Sequence, residues 1–159
     1  MLCRVHASAQ KEQRLGVATI FDDGSDVVGH SYITLENADG SQEAIGFYPY
    51  DASASDVLLG DTVQGSLSLN DGAHIKVNSA NFKGMSSVRY VNVSPGQVKQ
   101  IRSVISDYKG SNYNLYSRSC ADFVIDAARA GGVDMGGLKG SSGGFDTPRG
   151  IRSWIQGGR

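Results

Sequence analysis

Residues Ser87–Tyr108 read SVRYVNVSPGQVKQIRSVISDY, and the periodicity changes in the middle of the stretch. Up to Val93 apolar and polar positions alternate, as in a half-buried strand. From Val98 the apolar residues fall at Val98, Ile101, Val104, Ile105 and Tyr108, the spacing of one helix face. Ser94-Pro95 marks the border: a serine to cap the first free N–H groups, then a proline in the first helical turn. Gly110 ends the helix.

Upstream of this border the chain reads as strand. Leu15–Phe21 is a short apolar run, and Asp22-Asp23-Gly24-Ser25 is a turn cluster. Val27–Leu35 is rich in β-branched and aromatic residues. Asn37–Ser41 is a turn, and Glu43–Tyr48 returns as the partner strand. Pro49 has no N–H for a ladder and ends the pairing. Thr62–Leu69 alternates, Asn70-Asp71-Gly72 reads as a hairpin turn, and His74–Val77 follows as a further strand.

Downstream the chain reads as helix. A second helix is expected to start near Ser119 and Cys120, burying Phe123, Val124, Ala127 and Ala128, with Gly131-Gly132 as its stop. Lys139–Gly144 (KGSSGG) has the composition of a flexible linker. Asp146-Thr147-Pro148 opens a short last helix with Ile151, Trp154 and Ile155 on its apolar face. Strands first and helices later predict an α+β fold: an antiparallel sheet packed against a cysteine-bearing helix. Residues 1–159 are expected to form a single domain. Residues 1–14 would be a loosely ordered N-terminus, and 134–159 a Gly-rich linker plus the C-terminal helix.

Composition narrows the function. The 159 residues suffice for a core without metal or disulfide staples. Lys plus Arg is 15 and Asp plus Glu is 16, so no general electrostatic grip on nucleic acid or anionic membrane is expected. No apolar run approaches the ~20 residues of a membrane span, so no membrane insertion is expected. The N-terminus carries no stretch long enough for a secretory signal. Synthesis in the cytoplasm is therefore expected, and action outside would need a delivery route other than a cleaved signal. Cys3 and Cys120 read as two free thiols. His6, His30 and His74 are far apart and no Cys or His pair has ligand spacing, so neither a metal nor another cofactor is predicted.

Cys120 falls at the first turn of its helix. Unpaired N–H groups and the positive dipole end favour thiolate there, which makes a cysteine nucleophilic near neutral pH. The other reading is a small buried apolar residue. His30 lies within a strand in Gly29-His30-Ser31-Tyr32, beside a glycine that admits a close neighbour. A strand histidine with a helix-start cysteine suits a nucleophile pair, in which the imidazole takes the thiol proton and returns it to the leaving amine. A structural histidine is the other reading.

These residues resemble a known group. Gly29-His30-Ser31-Tyr32, Gly46-Phe47-Tyr48-Pro49, Tyr113-Asn114-Leu115 and Ser119-Cys120-Ala121-Asp122-Phe123 look like the circularly permuted papain-like cysteine hydrolases. These are relatives of the NlpC-type cell-wall peptidases in which the histidine strand precedes the cysteine helix. The resemblance spans roughly residues 15 to 155. It implies a permuted papain-like order and a cysteine amidase or endopeptidase acting on peptidoglycan peptides. Several members are antibacterial effectors of type VI secretion, so it also implies a cognate immunity protein, contact with a secretion component and action in a target-cell periplasm. Cys120 and His30 would be catalytic. Glu43 is taken as the residue orienting His30, against its reading as an exposed strand carboxylate, with Gln42 and His74 as further candidates. Tyr48, Tyr116 and Ser119 are taken as substrate-binding; Ser119 stands where such relatives commonly carry Asn. The alternatives are a cysteine deamidase, transglutaminase or acyltransferase on a protein or lipid, or an inactive papain-like binding module.

Overall fold

A computed structural model describes residues 12–22, 25–69 and 86–158. Strands β1 (Gln13–Asp22), β2 (Ser25–Glu36) and β3 (Gln42–Pro49) come first. Helix α1 (Ala54–Leu59), strands β4 (Val63–Ser68) and β5 (Ser86–Val93), and helix α2 (Pro95–Tyr108) follow. Strand β6 (Asn112–Tyr113), helix α3 (Cys120–Ala130), a 3₁₀ turn (Gly140–Ser142) and helix α4 (Pro148–Ile155) complete the elements of the described residues. The strands form one six-stranded antiparallel sheet in the order β5-β1-β2-β3-β4-β6. The class is therefore α+β.

Strand alternation sends one set of side chains to the helices. Leu15 and Val17, Ile33 and Leu35, and Ile45 and Phe47 are fully buried from three neighbouring strands. They pack with Ile101 and Ile105 of α2, Phe123, Val124 and Ala127 of α3, and Ile151 and Trp154 of α4. The opposite parity contributes a second, smaller cluster: Ala18, Ile20, Tyr32 and Ala44. Each helix start is held by local chemistry. The Ser94 hydroxyl accepts the Gln97 N–H while the Gln97 side chain accepts the Ser94 N–H, with Pro95 at the first helical position. Thr147 caps α4 by accepting the Gly150 N–H.

Four expectations change. Gln13 and Arg14 are not a loose terminus but the start of β1, opposite Val93 and Asn92 of β5. Helix α1 was not foreseen, although Ser53 and Asp56 form a capping box and Gly60 ends the helix at φ 87°. The Lys139–Gly144 segment is not a free linker. Arg129 donates to the Leu138 and Lys139 carbonyls, Asp126 accepts the Ser141 N–H, and Asp146 accepts the Lys139 and Gly140 N–H groups. Gly140 sits at φ 61°, where a Cβ would stand 2.3 Å from an Asp126 oxygen. Glu43 is the fourth, taken up with the site. The expected 70–72 turn, the 74–77 strand with His74, Cys3 and His6 lie outside the described residues.

Candidate active site

The site forms where the ladder between β2 and β3 ends. That ladder runs from Glu36↔Gln42 to Tyr32↔Gly46. Beyond it β2 keeps β1 as a neighbour, through Thr19↔Ser31 and Ile20↔His30. The side of β2 that faced β3 is taken by the start of α3: the Ser31 N–H bonds the Cys120 sulfur. Gly29, beside His30, leaves space for the Phe21 ring of β1, since a Cβ there would stand 2.3 Å from it.

Cys120 is the first residue of α3, 6% exposed. The helix is fixed by a capping box: Asp122 accepts the Ser119 N–H at 2.7 Å, and the Ser119 hydroxyl receives the Asp122 N–H. Burial pushes the thiol up, but the His30 hydrogen bond and charge, the Ser31 N–H and the Tyr113 hydroxyl act in the opposite direction. The balance holds the Cys120 thiol below its ordinary value. His30 and Cys120 are thus brought into contact, with the sulfur poised toward thiolate.

Tyr113, which the sequence offers only as part of the Tyr113-Asn114-Leu115 segment with no role attached, is a residue of the site. It is placed by β6, whose pairing Val63↔Tyr113 adds a two-residue strand beyond β4. Its hydroxyl meets both the sulfur and the backbone N–H of Cys120. Burial and the neighbouring thiolate push that hydroxyl far above the ordinary tyrosine value, so it stays protonated and donates. The Tyr-x₆-Cys spacing was the available signal; a two-residue strand has no periodicity to reveal it.

Tyr48 lies level with His30 in the β2–β3 register, its ring stacked on the imidazole at 4.2 Å between centroids and 22° between planes. Tyr48, Ser119 and Cys120 share the wall of a cavity of about 420 Å³, together with His30 and Tyr113. The Ser119 hydroxyl is committed to the helix cap. Tyr116 stands at the mouth, its ring against Phe145 and its hydroxyl on the Leu58 carbonyl.

Glu43 is not part of this assembly. It pairs with Leu35, five residues beyond His30 along β2, or about 17 Å at ~3.4 Å per residue. Its carboxylate is ion-paired with Arg102 of α2, which also donates to Asn37. The strand was read correctly, but the antiparallel register carries Glu43 to its far end and brings Tyr48 to His30 instead.

Among the described residues no cluster of three or more His, Cys, Asp or Glu side chains has a metal-binding arrangement. No described helix is long and apolar enough to cross a membrane. Set against protein-family models, curated proteins and solved structures, the chain matches none of them.

Proposed function

We propose that the protein is a cysteine hydrolase that cleaves an amide or ester bond through Cys120 and His30. The observation that carries this reading is the His30 contact with a thiol lowered toward thiolate at a helix N-terminus beside a cavity. The thiolate attacks the carbonyl carbon, forming a C–S bond and an oxyanion. The Cys120 N–H, which in the resting site donates to the Tyr113 oxygen, and the Tyr113 hydroxyl are the groups suited to stabilise that oxyanion once the substrate displaces their mutual contact. Collapse breaks the bond to the leaving group, and His30 supplies its proton. A water then gives a proton to His30 and attacks the thioester, releasing the acid and restoring the thiolate.

The chain order, His30 strand before Cys120 helix, agrees with a permuted papain-like arrangement. By that resemblance the substrate is bacterial peptidoglycan. The protein is then a secreted antibacterial effector paired with an immunity protein and delivered by a type VI apparatus to a target periplasm. Two arms test this. Purified protein incubated with sacculi is expected to release cleaved stem peptides, and Cys120→Ala to release none. The same chain given a secretion signal is expected to lyse cells in a Cys120-dependent manner, while cytoplasmic expression is tolerated. Toxicity confined to the cytoplasm and dependent on Cys120 favours an intracellular substrate. Full toxicity of Cys120→Ala with no peptide released leaves only a binding module.

A further inference from the structure

The cavity beside Cys120 is poorly matched to an anionic peptide. Its walls include Phe47, Tyr48, Val57, Leu58, Leu115 and Phe145. Among its described lining residues there is no Lys or Arg, and the single carboxylate, Asp146, is engaged by the Lys139 and Gly140 N–H groups. A ligand carboxylate would lose its hydration here, and the one cationic group on the wall, His30, is already engaged by the Cys120 sulfur. The apolar surface continues outward. Phe145 is 56% exposed, Leu59 is 81% exposed, and Leu58 and Tyr116 are half exposed at the rim. Contiguous apolar surface around a concave opening is the usual mark of a ligand groove.

From this we infer that the acyl group transferred to Cys120 is uncharged and apolar, held in the cavity by burial and not by ion pairing. The inference rests on the cysteine-hydrolase reading alone and departs from the peptidoglycan assignment, because the carboxylates of a stem peptide find no match in this cavity. The acyl part stays joined to the sulfur from the first step until water releases it in the second, and the cavity is the space on which the sulfur opens. At ~30 Å³ per water-sized group, the space of about 420 Å³ takes roughly fourteen such groups, so an octanoyl chain fits and a palmitoyl chain exceeds it. In the first step the Cys120 thiolate forms a bond to the acyl carbon, and the alcohol or amine leaves with the bonding electron pair. In the second, water replaces the sulfur, giving the free acid, and the proton passes through His30. Each buried methylene favours transfer by about fourfold, so the chain-length dependence should be steep.

The test is turnover of p-nitrophenyl esters by the full chain, with the acylated Cys120 peptide identified by mass spectrometry. The series is acetyl, butyryl, octanoyl and palmitoyl, plus the succinyl half-ester as the charged match to butyryl. We expect kcat/KM to rise at least about tenfold from acetyl to octanoyl and to fall at palmitoyl. The succinyl ester should be at least about tenfold poorer than the butyryl ester. Leu58→Lys, at a half-exposed position, should reduce octanoyl turnover more than acetyl turnover. A flat series with Cys120 still acylated, or preference for the succinyl ester, overturns the apolar site and leaves the hydrolase reading standing. Ester turnover that persists in Cys120→Ala, or no acylation by any ester, overturns both.

Discussion

The Tyr113 hydroxyl touches Cys120 at both the sulfur and the backbone N–H. The phenol oxygen accepts the Cys120 N–H while its own proton is directed to the sulfur. Because burial keeps the phenol protonated, the contact favours charge on sulfur at all working pH values. Tyr113→Phe keeps the ring against Phe47, now 5.4 Å away between centroids, and removes only the donor. The expected result is a Cys120 thiol titrating at higher pH, with alkylation by iodoacetamide near pH 7 slowed several-fold, a cost of about 1 kcal/mol for one charge-assisted hydrogen bond. Alkylation rate against pH reads this directly. An unmoved profile would remove Tyr113 from thiolate stabilisation.

His30 and Cys120 act as one unit in the proposed reaction, so their losses should not add. Cys120→Ala and His30→Ala are each expected to lower turnover by roughly a thousandfold or more, and the double variant to be no worse than either. His30→Ala should also raise the thiol's titration point, since its hydrogen bond and charge pull it down. Multiplicative losses in the double variant would show that the two residues work independently and would undo the dyad.

Glu43 is expected to behave as a structural ion pair. It and Arg102 are both partly exposed and bonded to each other at the end of the sheet remote from His30. Glu43→Ala should leave turnover within about twofold and lower stability by ~0–1 kcal/mol, the range for solvent-exposed pairs. Urea unfolding and steady-state turnover on the same preparation separate the two effects. A hundredfold loss of turnover without loss of stability would restore Glu43 to the catalytic assembly.

The pattern of these outcomes follows what a sequence encodes locally. Alternation in Ser87–Val93 and helical spacing in Val98–Tyr108 are properties of neighbours, and both elements are found there. The caps at Ser94, Ser119 and Thr147 are equally local. Register is not. Nothing within Gln42–Tyr48 says that Gly46 faces Tyr32, yet that pairing decides that Tyr48 reaches His30 while Glu43 reaches Arg102. Tyr113 depends on Val63 in the same way. The Lys139–Gly144 segment looks flexible by composition because its restraints, Asp126, Arg129 and Asp146, are supplied from outside it.

Asp122 provides a prediction about pH. Its side chain is 1% exposed; one oxygen takes the Ser119 N–H and hydroxyl, and the other has no hydrogen-bond partner. Burial pushes its carboxyl up, the Ser119 bonds pull it down, and Asp146 and Asp126 push it up again, leaving it above the ordinary value. The folded state thus holds the Asp122 proton more tightly than the unfolded chain does. Stability from this group is fully present below the unfolded value of about 4 and is lost as pH rises through the raised folded value. Near pH 7 the ionised, half-partnered carboxylate is a net burden. Asp122→Asn keeps an acceptor for the Ser119 N–H and removes the charge, against a helix-dipole loss of about 0.3–1 kcal/mol. The variant should therefore gain stability relative to wild type as pH rises from about 3 to about 7. Urea unfolding followed by circular dichroism across that range gives the difference at each pH. A flat difference, or one that moves in favour of Asp122 with rising pH, would mean that the buried carboxylate is fully compensated in the fold.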